Sequence, residues 1–291
     1  MPTPPRILCF GEILWDFLPA GLFAGGAPFN VAYHLRQHGA NVRLVSAVGR
    51  DLLGDELLRR VRHWNMDTNL VARHAGLSTG YVRATLGDSG DARYEIAPDV
   101  AWDRIPVNED ALRAAQDAKA LVFGSLAQRS PVNRTALDRL LDTLPGEAWR
   151  VFDVNLRAPH DDLELVHNLA ARATLLKLND EEAARLCGKS TDTSGREETH
   201  ARDLVSTTGC ALICVTAGAL GAGLLRDGKW LWEPGRPVDV VDTVGAGDAF
   251  LASLVTHLLA GRLTDAECLA RACRTGEWVA TQRGATPAYP I

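Results

Sequence analysis

Short, continuous apolar runs recur along this chain with amphipathic stretches between them, and no other property limits its fold as tightly. Arg6–Phe10, Val42–Val48, Leu121–Phe123, Arg150–Asp153, Leu175–Leu178 and Ala211–Val215 are apolar and rich in β-formers. Between them Asn30–His38, Leu53–Trp64, Glu109–Gln116, Asn133–Leu141, Asp162–Ala171 and Asp180–Leu186 carry apolar residues at helical spacing. A strand that is apolar on both sides must be covered on both faces. The alternation therefore predicts an α/β fold with a mainly parallel sheet flanked by helices. Two more helices are expected, from Asp248 to Ala260 and from Asp265 to about Arg283. One stretch breaks the rhythm. Gly80–Leu86 alternates polar and apolar residues, Gly87–Asp91 is turn chemistry, and Ala92–Ile96 completes an antiparallel hairpin. That hairpin is either an edge of the main sheet or a separate lid or dimer contact.

Composition removes several function classes. With 291 residues the chain has material for about two ordinary domains or one large α/β domain with an accessory element. Hydrophobic residues at 46% and charged residues at 23% exclude a disordered chain. A net charge of −5 disfavours a nucleic-acid partner, and the seven tryptophans are scattered without basic interleaving. Six cysteines without a C-x-x-C pair read as reduced core thiols, which predicts a cytoplasmic protein. Met1–Arg6 has no apolar signal region, and glycines and hydroxyls interrupt the uncharged run Leu204–Leu225. A soluble protein without a membrane partner is expected.

The segment Val240–Phe250 carries the strongest chemical signal. An apolar strand is expected to end at Asp242, the small residues Gly245, Ala246 and Gly247 follow, and a helix begins near Asp248. First-turn amides of a helix lack internal partners and the macrodipole adds positive charge there, so the turn suits a phosphate. Asp248 within such an anion hole can accept a proton from a hydroxyl that attacks phosphorus. Without further information Asp248 is equally a first-turn carboxylate at a glycine-rich helix start. Other motifs fail on inspection. Gly223–Lys229 has P-loop spacing, but Trp230 stands where Ser or Thr belongs, and Asp227-Gly228 is hairpin chemistry. No G-x-G-x-x-G follows the first strand, which disfavours a nicotinamide dehydrogenase. His34 and His38 are spaced like a metal pair but lack a third ligand in frame.

Asp242-Thr243-Val244-Gly245-Ala246-Gly247-Asp248 resembles the D-T-x-G-A-G-D signature of the ribokinase-like, or PfkB, carbohydrate kinases. The N-terminal pattern of that family is matched by Gly25-Gly26-Ala27-Pro28-Phe29-Asn30-Val31-Ala32 and by Val48-Gly49-Arg50-Asp51-Leu52-Leu53-Gly54. The resemblance covers essentially the whole chain, 1–291, as one ribokinase-like kinase domain. It implies a small β-sheet lid from about 13–23 and 79–102.

The resemblance implies ATP-dependent phosphorylation of a small sugar with magnesium. Asp248 would be the general base and Gly245, Ala246 and Gly247 the anion hole. Asp16, Gly26, Asn30 and Arg157 would bind the sugar. On residue type alone Asp16 is equally a turn residue, Asn30 a helix cap, and Arg157 half of an Asp–Arg pair with Asp153. Lys177, Asn179, Thr216, Gly218 and Gly221 would bind ATP, and Glu182 would meet magnesium through water. Asn179 and Glu182 also have capping-box spacing, and one residue can serve both roles. Asp242, near Arg283-Gly284-Ala285-Thr286-Pro287, would help hold potassium. The Gly-Gly-Ala-Pro-x-Asn motif with Gly11-Glu12 most resembles fructokinases. Ribose, 2-keto-3-deoxygluconate, nucleosides and a non-catalytic sugar binder remain alternatives. Several relatives pair through the lid, so a homodimer is a further expectation.

Overall fold

The expected alternation is present in the computed structural model, which describes residues 4–18, 21–86, 92–189 and 193–290. The chain begins with β1 (Arg6–Phe10), β2 (Leu14–Leu18), β3 (Gly21–Gly25), α1 (Ala27–Gln37), β4 (Asn41–Gly49) and α2 (Leu52–His63). It continues with β5 (Val71–His74), β6 (Gly80–Leu86), β7 (Ala92–Ile96), α3 (Glu109–Gln116), β8 (Ala120–Gly124) and α4 (Pro131–Thr143). Next come β9 (Trp149–Asp153), α5 (Leu163–Ala170), β10 (Leu175–Asn179), α6 (Asp180–Leu186), α7 (Glu197–Thr208) and β11 (Leu212–Thr216). The last elements are β12 (Gly221–Arg226), β13 (Lys229–Pro234), α8 (Ala246–Ala260) and α9 (Asp265–Ala280).

Among the described residues the main sheet has nine strands in the order β13-β12-β11-β10-β9-β8-β1-β4-β5. All its pairings from β11 to β5 are parallel, and only β11–β12 and β12–β13 are antiparallel. Successive side chains of a strand point to opposite faces, so β1 sends Ile7 and Cys9 into one apolar layer and Leu8 and Phe10 into the other. Helices α1, α2, α8 and α9 cover the first layer, and α3 to α7 cover the second. Each fully buried Leu, Ile or Phe contributes about 1.5–3 kcal/mol. That surplus lets the fold hold charged groups out of water at one end of the sheet.

The hairpin β6–β7 is not an edge of the main sheet. It belongs to a separate sheet of order β3-β2-β6-β7, in which β2 runs parallel to β6. The turn expected at Gly87–Asp91 lies outside the described residues. Arg129 ties this sheet to the body of the molecule. Its guanidinium bonds both oxygens of Asp103 at 2.7 Å and the Ala97 carbonyl at 2.7 Å, and it lies 4.1 Å from the Trp102 ring centroid. Asp51 makes a second joint. It caps α2 by accepting from Gly54 N, and it also accepts from Thr79 N and Thr79 Oγ1 at the entry to β6. The Val48–Gly54 motif is thus a structural joint at this level.

Three expectations are corrected. No strand ends at Asp242: β13 stops at Pro234, and Val240 and Val241 are exposed. Val241 N and Asp242 N both donate to Ala280 O at the end of α9, so this segment crosses a helix terminus instead of joining a sheet. Helix α9 ends at Ala280 rather than near Arg283, and the chain turns at Gly284 with φ +73°. Helix α1 starts at Ala27, with Pro28 in its first turn, so Asn30 is not its cap. The hairpin turn at Asp227 (φ 51°) and Gly228 (φ 76°) joins β12 to β13 as expected.

Candidate active site

Parallel strands deliver their C-terminal ends to one edge of the sheet, where ligands of open α/β folds bind. Glu12 follows β1, Asp153 ends β9, Lys177 and Asn179 close β10, and Thr216 ends β11 opposite Asn179. Helix α8 points its N-terminus at the same edge. Its cap is Gly245, in the left-handed region at φ 81°, and no side chain caps it. A Cβ on Gly245 would stand 2.6 Å from Ala285 Cα, so the close approach as well as the dihedral requires glycine.

Asp248 lies in the first turn of α8, buried, with Oδ2 accepting from Asn30 Nδ2 at 2.8 Å. Burial raises its pKa to about 6, helped by the charge of Asp153 and opposed by Lys177, Asn30 and Arg157. In the stretch expected as the anion hole, Gly245–Gly247, the amide of Ala246 is engaged within the chain. Ala246 N already donates to Thr243 O at 3.2 Å, which leaves the first-turn amides of Gly247 and Asp248.

Lys177 is buried rather than solvated. Its Nζ donates to Asp153 Oδ1 at 2.9 Å and would lie 3.2 Å from a Cβ on Gly247. Burial alone would lower its pKa, but Asp153, Glu182 and Asp248 outweigh it and hold the ammonium above its ordinary value. A fixed positive charge thus stands beside the open amides.

The sugar candidates converge on the same place. Asp16 lies on β2, not in a turn, and burial raises its pKa to about 6 against the field of Arg157. Gly25 leaves room for the Asp16 carboxylate, and a Cβ on Gly26, at φ 109°, would stand 2.5 Å from Glu12 O. Asn30 Oδ1 is buried and without a hydrogen-bond partner. Arg157 is exposed, with Nη1 on Leu156 O at 2.8 Å, yet its charge reaches Glu12, Asp16 and Asp248. Arg157 and Asp153 do not pair in this structure: Asp153 takes Lys177.

The other candidates sit nearby with strong structural ties. Asn179 and Glu182 form the capping box of α6, with Glu182 N to Asn179 Oδ1 at 2.8 Å and Asn179 N to Glu182 Oε2 at 2.9 Å. Glu182 Oε1 accepts from Leu156 N at 2.7 Å, so both oxygens are already engaged. Thr216 Oγ1 lies 3.5 Å from Leu178 O, and Gly218 turns the chain out of β11 at φ 54°. A Cβ on Gly221 would strike Glu233 O, so its glycine is demanded by the β12–β13 pairing. Asp242 faces two loops, accepting from Val244 N at 3.0 Å and Gly284 N at 3.1 Å.

Glu12 was not singled out as a site residue from its type, although Gly11-Glu12 directly after the first strand marks the edge where α/β sites form. It is buried, Oε1 accepts from Ala27 N at 3.2 Å, and Oε2 has no partner. Burial raises its pKa to about 7. Asp153 also belongs to the site, with Oδ2 buried and unpartnered.

Among the described residues no three His, Cys, Asp or Glu side chains are grouped to hold a metal by themselves. The donors present are hard oxygens, and Asp153 Oδ2 has unmet capacity. They fit magnesium, which keeps several waters and takes one or two carboxylates beside substrate phosphates. Glu182 fits only through water.

An α/β sheet whose carboxyl edge presents open helix amides, a buried lysine and a buried carboxylate defines an enzyme built for an anion and a proton acceptor together. The sequence profile described as pfkB family carbohydrate kinase matches residues 20–291. The chain belongs to that family and is a carbohydrate kinase. It is 28% identical to a fructokinase of Klebsiella pneumoniae over 300 residues, covering 98% of this chain and 96% of that one. It is 27% identical to an aminoimidazole riboside kinase of Salmonella typhimurium over 277 residues, covering 92% and 85%. A sugar kinase from Pyrococcus horikoshii solved in complex with ATP superposes with TM-score 0.81 at 25% identity, over 96% of this chain and 94% of that one. A Vibrio cholerae fructokinase solved with fructose, ADP and calcium shares the fold at TM-score 0.82 and 22% identity, over 97% and 94%.

Proposed function

We propose that this carbohydrate kinase transfers the γ-phosphoryl group of ATP to a hydroxyl of a small sugar, with fructose the first acceptor to try. The observation that carries the reading is the buried Asp248 carboxylate beside the open α8 amides, held by Asn30, with Lys177 against Gly247. Asp248 takes the proton of the sugar hydroxyl as its oxygen attacks phosphorus. The amides of Gly247 and Asp248 and the Lys177 ammonium stabilise the charge on the transferred group. Asp16, Gly26 and Asn30 orient the sugar, with Arg157 at the rim. Asn179, Thr216, Gly218 and the Gly221 turn flank the nucleotide.

Magnesium, when bound, would neutralise phosphate charge, held by the phosphates with Asp153 and, through water, Glu182. Asp242 and the backbone carbonyls of the loops it joins would hold potassium, and activity indifferent to potassium would reject that part. The four-stranded sheet would act as the lid that keeps water from competing as acceptor. No helix among the described residues is long and apolar enough to cross a membrane. All six cysteines are free thiols, five of them buried, which supports a cytoplasmic location.

Fructose comes first because the curated fructokinase matches over nearly its whole length. A riboside comes second, since its kinase matches at almost the same identity. ADP release is the test, measured on fructose, ribose, 2-keto-3-deoxygluconate and nucleosides. Turnover highest on fructose is the expected result. Highest turnover on a nucleoside would replace the acceptor, and binding without turnover on any of them would replace the reaction.

A further inference from the structure

His34 and His38 have the spacing of a metal pair on α1, and the structure gives His34 a different task. The ring is fully buried, with Nε2 2.9 Å from Ala285 O and Nδ1 3.0 Å from Tyr289 Oη. A carbonyl only accepts, so Nε2 carries the proton and Nδ1 accepts from the Tyr289 hydroxyl. Burial keeps this ring neutral by lowering its pKa to about 4. Tyr33, the preceding residue, donates to Pro287 O at 2.6 Å. Two consecutive residues of α1 therefore hold the segment 285–289.

That segment in turn abuts the loop at the mouth of α8. Ala285 fills the space a Cβ on Gly245 would need, and Gly284 N donates to Asp242 Oδ2. One turn before His34 on the same helix, Asn30 donates to Asp248. Helix α1 thus reaches the start of α8 twice, once directly through Asn30 and once through His34, Ala285 and Gly245.

We infer that His34 is a positioning residue: by holding the Ala285 carbonyl from α1 it seats Gly245, and with it the open α8 amides, in register with Asn30 and Asp248. The inference rests on the kinase reading of this loop. An apolar residue at 34 would fill the space but leave a buried carbonyl without a donor. The segment would then relax, and the amides would shift relative to the carboxylate they work beside.

His34→Leu, His34→Gln and Tyr289→Phe test this, read by kcat, KM for ATP and the calorimetric Kd for the sugar. His34→Leu is expected to lower kcat about 10- to 100-fold, the range a misplacement near 1 Å commands. The sugar Kd is expected to stay within about threefold, because Asp16 and Asn30 keep their places. His34→Gln places an amide N–H near the reach of Nε2 and should recover most of the lost kcat. A kcat within about twofold of wild type for His34→Leu would overturn the inference. So would a His34→Gln enzyme as slow as His34→Leu, since space-filling alone would then explain the ring. If His34→Leu fails to fold, Tyr289→Phe carries the test. It leaves the ring and its Nε2 bond to Ala285 O in place but removes the hydroxyl that anchors Nδ1, and kcat should fall about threefold or more, with an unchanged kcat overturning the inference. A wild-type enzyme that releases no ADP on any acceptor would count against the kinase reading instead. The 15N signature of the ring would then decide the pin alone: Nε2 protonated throughout from about pH 5 to 8 is expected, and a titrating or Nδ1-protonated ring would overturn it.

Discussion

Both ends of the nine-stranded sheet carry charge, and they hold it in different ways. At the N-terminal ends of β1 and β4, Arg6, Arg43, Asp110, Arg113 and Asp117 line a cleft of about 710 Å³. Arg6 meets Asp117 at 2.7 Å with the side chains 54% and 64% exposed, and Arg113 meets Asp110 equally in the open. At the C-terminal ends Glu12, Asp153, Lys177, Glu182 and Asp248 are all buried, and the one ammonium feels three of the four carboxyls, Asp153, Glu182 and Asp248. Glu12 Oε2, Asn30 Oδ1 and Asp153 Oδ2 lack hydrogen-bond partners there. The difference teaches that room and charge do not make a site. Charges removed from water with unmet hydrogen-bonding capacity do, because such an arrangement is costly to keep unless a ligand completes it.

Lys177→Met strikes the buried end hardest. It leaves Asp153 uncompensated, so stability should fall by about 3–5 kcal/mol, read by urea unfolding, together with a loss of turnover. A loss under about 1 kcal/mol would mean that the pair is no more costly to break than a surface one. Asp248→Asn comes next, with kcat falling at least about 10²-fold, the usual contribution of a general base.

The pH dependence sharpens the comparison further. Asp248 has a folded pKa near 6 against an ordinary 3.8, so the fold favours its protonated form. The stability this brings is complete below about pH 4 and is lost as pH rises through about 6. Asp248→Asn removes that dependence, so the variant should gain on wild type by about 1–3 kcal/mol between pH 4 and 8. Under the proposed role of Asp248 as base, activity runs the other way, because only the ionised form can accept a proton: wild-type kcat should fall as pH drops below about 6. A stability difference that stays flat with pH would remove Asp248 from the desolvated set. Smallest of all, Arg6→Ala at the open end should cost under about 1 kcal/mol and leave kcat unchanged. A large effect there would erase the contrast between the two ends.

Much of this was legible in the sequence, for physical reasons. Strands buried on both faces leave continuous apolar runs, so β1, β4, β8, β9, β10 and β11 were visible. The Asp242–Asp248 motif was visible because an uncapped helix start needs small residues where a phosphate approaches. The misread strand before it shows the limit of the same reasoning. Val240 and Val241 have strand propensity, but the amides of Val241 and Asp242 had a helix terminus rather than a strand to meet, and no local pattern reveals a partner about forty residues away. Asn30 read equally as a cap because its partner, Asp248, is 218 residues distant. The burial of Lys177 was hidden for the same reason: it depends on Asp153 and on the approach of α8. Glu12 carries no motif of its own, and only its place after β1 gives it away.

Sugar binding and turnover measured together on Asp248→Asn test the central claim most directly. Asparagine keeps a side-chain oxygen that can accept from Asn30 but cannot take a proton. The account predicts a calorimetric sugar Kd within about threefold of wild type and a kcat lower by at least about 10²-fold. Turnover within about tenfold of wild type, at equal sugar affinity, would contradict it.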